Sequence, residues 1–346
     1  MSSPPVVLFH YPGSPFAARV LYYLALRGIP YDECIQPNIL PRPDLARLGI
    51  RYRRIPLLAI GRDIYLDTPL ILDRLERFTP SSSATKQPFK STATPSQRTL
   101  THLLASYTLD TPLFKNIVCV LLPSTPLIHD ETFLKDRAEM LGGPPGFNFA
   151  EHFVLPARND AIVEVKKTLE FLESTLLADG RQWVAETESP GLADIELVWP
   201  LHWLIKTPGA LPGEYITAET FPRVFSWVER FEGAVARAQG GLSRRPQTVS
   251  GEKVAAWLGK VGVEDQYEAR VEQEDPVVRA QGLYQGQEVL LWPADTGANH
   301  KTRGKLVGFT SREITLDTTE GEVSVRVHAP RRGFRVAAVS EKANLA

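Results

Sequence analysis

The chain has 346 residues, 43% of them hydrophobic and 23% charged, with a formal net charge of −1. That length predicts two or three domains, and the composition is that of ordinary globular cores rather than of a disordered chain. A charge balance this close to zero gives no overall pull toward nucleic acid or a membrane surface. Cys34 and Cys119 are too far apart in sequence to suggest a disulfide framework or a metal site, and both are expected reduced in a cytoplasmic compartment. The opening residues lack the basic start and long apolar core of a signal peptide, and no run approaches the roughly 20 apolar residues of a membrane helix. The seven histidines are scattered without ligand spacing, so no metal is expected.

Residues 8–28, LFHYPGSPFAARVLYYLALRG, read as a short strand, a tight turn and a helix whose first turn holds Ser14 and Pro15. The first N–H groups of a helix have no partner inside it, and the helix dipole places positive charge there. Ser14 adds a hydroxyl at that point, and Pro15 suits the first helical position because its missing N–H is not needed. Such a terminus can hold an anion, a thiolate among them, although an N-cap is the ordinary role of serine. In residues 53–78 the apolar run Leu57 to Ile60 follows Ile55-Pro56 and is bounded by Gly61-Arg62-Asp63, predicting two short strands joined by a turn. Proline donates nothing to a sheet, so Pro56 marks a strand start and a candidate cis bond. Asp67-Thr68-Pro69 then opens a helix, with Thr68 as the expected cap and Pro69 in the first helical position. Two helix N-termini in one small domain make a pocket for two negative groups.

This order of elements and motifs resembles the thioredoxin-like N-terminal domain of glutathione transferases, and is most similar to the serine-type tau, zeta and fungal members. The resemblance implies glutathione as cosubstrate. It gives Ser14 the hydroxyl that stabilises the thiolate, the Ile55 backbone the cysteinyl part, and Pro56 the role of the cis-proline. It gives Asp67 and Thr68 the γ-glutamyl end, with Asp and Thr standing for the commoner Glu and Ser, and Arg54 the glycyl carboxylate. Tyr11 is the alternative hydroxyl, since other classes of the family use a tyrosine near this strand. Arg19 lies a turn into the helix, too far from its start to be the donor, and is expected in a salt bridge or at the surface.

The first domain is expected to span residues 1–80. A Ser/Thr/Pro-rich linker follows at 81–97, then a helical domain at 98–245. Leu100, Leu103, Leu104 and Tyr107 recur at helical spacing, as do Ile162, Val165, Leu169, Leu172 and Leu176. Between them a long Pro- and Gly-rich passage, including Leu122-Pro123 and Gly142 to Gly146, either forms part of a second-substrate surface or is an insertion without ligand contact. In residues 181–205, Asp194 and Ala193 match the capping box that starts the buried central helix of the family's second domain, but Gly191 stands at the cap and supplies no hydroxyl. Asp194 is read as structural, and Trp199, Trp203, Phe225, Trp227 and Phe231 as core.

Residues 246–280 read as a helix and a charged connector, with Trp257 and Leu258 docking inward. Residues 281–340 switch to five strand signals, Val289–Trp292, Gly304–Phe309, Glu313–Asp317, Val323–Val327 and Phe334–Val339, separated by turns such as Asp295-Thr296-Gly297. They predict a small barrel-like module, similar to one carried by some fungal members of the family. Its basic residues interleave with acidic ones, which favours a structural or interface role over nucleic-acid binding.

The expected architecture is therefore an α/β thioredoxin-like domain, an all-α domain and a small all-β module. The expected activity is transfer of glutathione to an electrophilic apolar small molecule, with a homodimer as one assembly. A glutathione-dependent isomerase or lyase would share every pocket residue. A scaffold without turnover would leave the added module as the working part.

Overall fold

In the computed structural model, residues 5–79, 85–263 and 269–339 are described. The expected boundary at residue 80 and the first part of the linker lie outside them.

Strand β1 (Val6–His10) leads through a turn to helix α1 (Pro15–Arg27), then β2 (Asp32–Ile35) and the short α2 (Pro43–Ala46). Strands β3 (Leu57–Ile60) and β4 (Asp63–Leu66) form a hairpin ahead of α3 (Thr68–Arg77). β1 pairs with β2 in parallel and with β3 antiparallel, and β3 with β4 antiparallel. Side chains alternate across a strand, and here both faces are covered. Val6 and Leu8 enter a core shared with α1, α3 and the helical domain, whereas Val7 and Phe9 enter a second core on the other face. Continuous apolar strands are what a sheet covered on both sides requires.

The helical domain starts earlier than expected, with α4 (Phe89–Thr92) and α5 (Pro95–Asp110). Thr94-Pro95-Ser96-Gln97, read above as linker, is a capping box: Thr94 Oγ1 accepts from Gln97 N at 3.2 Å, and Gln97 Oε1 accepts from Thr94 N at 2.9 Å. The domain continues through α6 (Leu113–Leu121), α7 (Glu131–Met140), α8 (Leu155–Ser174), α9 (Leu192–Lys206) and α10 (Pro222–Gly240). Ile162, Val165, Leu169 and Leu172 of α8 are buried, as their spacing predicts, but Leu103 of α5 points to solvent. Asp194 closes the start of α9 by accepting from Val184 N and Gly191 N, both at 3.0 Å, and from Trp227 Nε1 at 2.9 Å. It is fully buried, which pushes its carboxyl up, while those three donors favour the charged form.

Past α10 the chain returns to the first domain. Glu33 N donates to Gln247 O at 2.9 Å and Val249 N to Glu33 O at 2.8 Å, extending the sheet beside β2. Helix α11 (Gly251–Leu258) then buries Leu258 in the second core, and α12 (Pro276–Gln281) follows.

Five C-terminal strands follow, β5 (Glu288–Pro293), β6 (Thr302–Phe309), β7 (Glu313–Thr318), β8 (Arg326–Pro330) and β9 (Phe334–Ala338); four lie close to the expected positions, and β8 is displaced three residues toward the C-terminus from the expected Val323–Val327. They form an open extension of the first sheet rather than a separate barrel. The strand order is β2-β1-β3-β4-β8-β7-β6-β5-β9, with β8 parallel to β4. β4 would otherwise present an edge of unpaired backbone groups, and β8 covers it. Behind this seam, His328 is held between two carboxylates, Nδ1 to Glu313 and Nε2 to Asp63, each at 2.8 Å.

Among the described residues, no helix is long and apolar enough to cross a membrane, and no group of three or more His, Cys, Asp or Glu could hold a metal ion. Cys34 and Cys119 are free and buried. Burial, together with nearby Asp44, pushes the Cys34 thiol up to about 12, so it is a poor nucleophile.

Candidate active site

Strand register gathers the predicted residues at one end of the first sheet. Phe9 faces Leu57 and Leu57 faces Leu66, so the chain after β1, the chain before β3 and the chain after β4 emerge side by side. These are the segments that carry Ser14, Arg54-Ile55-Pro56 and Asp67-Thr68. The Ile55–Pro56 bond is cis.

Ser14 is the N-cap of α1, and its Oγ accepts from Ala17 N at 3.3 Å. That bond uses a lone pair and leaves the hydroxyl proton for another acceptor. Its position follows from the turn before it, where Gly13 has φ 82° and Ser14 N donates to Tyr11 O at 3.3 Å.

The cap of α3 is Asp67, one residue earlier than expected. Asp67 has φ 66°, a region that costs a non-glycine residue energy, and its Oδ1 accepts from Thr68 N at 2.8 Å. Burial raises its carboxyl, while Arg54, the Thr68 N–H and Arg19 hold it down. Thr68 occupies the first turn, and its Oγ1 accepts from Arg19 Nη1 at 2.5 Å.

Arg19 is 1% exposed and pairs with Glu196 of α9, so it links α1, α3 and the helical domain from inside. Of the two places expected for it, the salt bridge is realised and the surface is not. Burial raises the Glu196 carboxyl and the Arg19 charge opposes that rise.

Two cavities open beside these residues. One of about 270 Å³ is lined by Tyr11 and Ser14 on one side and by Trp199, His202 and Trp203 of α9 on the other. The larger, about 880 Å³, is lined by Arg19, Arg54, Asp67 and Glu196, with Asp295 and Arg332 supplied by the C-terminal sheet. Phe16 lines the larger cavity and Trp199 the smaller, and their rings lie 4.7 Å apart, so the two spaces are neighbours. Ile55, Pro56 and Thr68 line neither, so the six predicted residues share one sheet end but not one cavity. Trp199 is fully buried, as expected of a core residue, whereas Trp203 is only half-buried; both lie on the side of the smaller cavity opposite Ser14. The passage from residue 122 to 146 lines neither cavity; it packs with α7 and residues 149–154 into a small apolar cluster of its own.

Sequence reasoning did not find the contribution of the C-terminal sheet. Arg54 donates to the carbonyl of Thr296 and pairs with Asp295, and Arg332 pairs with Asp110 of α5 at 2.8 Å. Asp295-Thr296-Gly297 carries only a turn signal, and 241 residues separate Asp295 from Arg54.

Residues 8–83 match the glutathione S-transferase N-terminal domain family, and residues 117–240 match a family described as a domain of unknown function. The chain is similar in structure to a GST-like protein from Pseudomonas syringae at 24% identity, covering 98% of this chain and 100% of that one with a TM-score of 0.69. A rice glutathione transferase in complex with glutathione is 20% identical, with 76% of this chain and 100% of that one covered and a TM-score of 0.46. A β-etherase from a Sphingobium strain is 16% identical, with 67% and 98% covered and a TM-score of 0.49. No curated protein matches the chain. The first domain is similar to a glutathione S-transferase N-terminal domain, and the chain has the fold of a GST-like protein.

Proposed function

We propose that the protein activates the thiol of glutathione for attack on an electrophilic, apolar small molecule. The observation that carries this reading is Ser14: a buried hydroxyl with a free proton, at the positive end of α1, on the wall of a cavity faced by Trp199 and Trp203. A thiol with a pKa of about 8.5 is mostly protonated at neutral pH, and only its thiolate attacks well. A hydrogen bond from Ser14 and the helix terminus would both favour the anion, and each tenfold gain in thiol acidity corresponds to about 1.4 kcal/mol. In this reading the Ile55 backbone pairs with the cysteinyl part of the ligand. The Asp67 carboxylate meets the γ-glutamyl ammonium from the larger cavity, with Thr68 behind it. Trp203, half-buried in the smaller cavity, gives the electrophile an apolar face backed by the buried Trp199.

Isomerisation or elimination through a glutathione adduct uses the same residues and belongs to the same proposal. The reading as a binding protein without turnover draws on one observation, that Arg54 is already occupied by the C-terminal sheet. Calorimetry with glutathione at millimolar concentration tests all the enzymatic readings, and the absence of heat would remove them. Turnover of an aryl halide by Ser14→Ala then tests the assigned role; an unchanged rate would take Ser14 out of the mechanism. A homodimer through the first and helical domains is part of this proposal and is checked by light scattering.

A further inference from the structure

The smaller cavity lies between the start of α1 and the second half of α9, and the polar side chains on its α9 side are engaged with one exception. Trp199 Nε1 donates to Thr108 Oγ1 at 3.4 Å, and Thr207 Oγ1 donates to the Trp203 carbonyl at 2.7 Å. Lys206 Nζ is held by Glu232 Oε2 at 2.7 Å. His202 Nδ1 lies 3.0 Å from the Tyr22 hydroxyl of α1, and its Nε2 lies 3.6 Å from Glu232 Oε1. Burial lowers this imidazole and raises this phenol, so the pair is neutral at neutral pH. A neutral imidazole carries one N–H. The Glu232 carboxylate draws it to Nε2, so the Tyr22 proton is spent on Nδ1.

Trp203 is the exception. Its indole N–H, which can only donate, has no hydrogen-bond partner among the described residues. The ring is half-buried and stacks on Phe114 of α6, with centroids 5.9 Å apart and planes 19° apart. An indole N–H finds an acceptor when it is covered, and a ligand filling this cavity would cover it. Across the cavity stand the hydroxyls of Ser14 and Tyr11.

We infer that Trp203 is a specificity-determining residue whose indole N–H donates to an oxygen of the electrophile. The inference rests on the reading of Ser14 as the thiolate donor. With sulfur at Ser14, the electrophile lies between Ser14 and α9, and an oxygen conjugated with its reacting carbon meets Trp203. In a conjugated enone the S–C bond forms at the β-carbon, the alkene pair shifts toward the carbonyl, and negative charge gathers on oxygen. A fixed donor at that oxygen contributes most when the charge appears. The proton lost by the thiol returns through water to the α-carbon, so S–H is added across the double bond. With an alkyl halide the carbon–halogen bond breaks as the S–C bond forms. The charge then leaves on the halide and Trp203 serves only as a wall. The cavity therefore favours carbonyl-conjugated electrophiles over halides.

The test compares turnover of benzylideneacetone, an enone, and of benzyl chloride by the full chain with glutathione. The proteins are the wild type, Trp203→Phe, which keeps an aromatic wall without the N–H, and Trp203→His, which keeps a ring N–H. Trp203→Phe is expected to lose about tenfold or more in kcat/KM for the enone and no more than about twofold for benzyl chloride. Trp203→His is expected to retain more of the enone rate than Trp203→Phe. Equal losses on the two substrates in both variants, or full enone activity in Trp203→Phe, overturn the inference. Wild-type turnover of benzyl chloride alone also overturns it and leaves the thiolate reading standing. Failure of the wild type on both substrates overturns the thiolate reading, and this inference with it.

Discussion

Tyr65 and His328 stack with ring centroids 4.6 Å apart across the parallel pair of β4 and β8, where the C-terminal sheet joins the first domain. The imidazole edge reaches Asp63 on one side and Glu313 on the other, and all three side chains are buried. Burial alone would lower the histidine. The hydrogen bonds and charges of the two carboxylates more than offset it and raise the imidazole to about 9. The folded-state value lies above the ordinary value of 6.5, so this group contributes stability that is fully present below pH 6.5 and is lost as pH rises through 9. Thermal unfolding followed from pH 7 to pH 10 should show that loss in the wild type. In His328→Gln the loss should be absent, and the protein should be less stable by about 3 kcal/mol or more at pH 7, because two buried carboxylates lose their counter-charge. Parallel pH curves for the two proteins would contradict the assignment.

What the sequence showed and what it hid follow from the range of the interactions. The dipeptides Ser14-Pro15, Ile55-Pro56 and Thr68-Pro69 announce helix and strand starts because a proline constrains its own backbone, a strictly local effect. The five C-terminal strands were legible for the same reason, from alternation and turns. That β8 pairs with β4 was not, because partner choice between strands 263 residues apart at Asp63 and Arg326 depends on which edges the finished fold leaves open. The cap of α3 was placed one residue late because nothing local marks Asp67 for a left-handed backbone. For Arg19 the sequence leaves both a salt bridge and a surface contact open, because Glu196, its partner, arrives on a helix 177 residues later. The sequence thus shows the helix ends and prolines around the candidate site, and is silent on the C-terminal residues that pack beside them.

The pair of Arg19 and Glu196 should behave as a buried ion pair between domains. Removing one partner leaves an uncompensated charge in the core, so Arg19→Met should destabilise the protein by about 3–5 kcal/mol in chemical denaturation. Glu196→Gln keeps an acceptor for Arg19 but leaves its guanidinium charge uncompensated, so it should cost a comparable amount. Joint replacement by Arg19→Met and Glu196→Leu should recover much of the loss. Additive effects of the two single changes would show that the two side chains act independently.

Ser14 carries a structural and a chemical load that can be separated. Ser14→Ala removes the cap on Ala17 N, an effect of about 1 kcal/mol on stability. It should also move the thiolate limb of the pH–rate profile upward, lowering the neutral-pH rate about tenfold for every pH unit that the limb moves. Ser14→Asp keeps an acceptor for the cap but places a negative charge beside the thiolate. It should therefore retain most of the stability while losing turnover. A variant pair whose rates follow stability alone would assign Ser14 to the cap only.

Gly191 and Asp194 offer the last test, because the capping box at α9 is only half built. Gly191 has extended backbone (φ −117°, ψ −171°), and a Cβ there would meet nothing nearer than Thr187 Oγ1 at 4.0 Å. Serine fits without strain, and its hydroxyl could accept from the N–H of residue 194. Because glycine is itself a tolerable cap, Gly191→Ser should stabilise the protein by only a few tenths of a kcal/mol. Asp194→Ala is the opposite case. It would orphan the N–H of Val184 and the indole N–H of Trp227 inside the core, and the half-buried N–H of Gly191 at its edge. Each buried unsatisfied donor costs about 1–3 kcal/mol, so this single change should bring the helical domain close to unfolding. Denaturant midpoints of the two variants measured side by side check the asymmetry, and comparable small effects would mean that α9 is held by packing rather than by its cap.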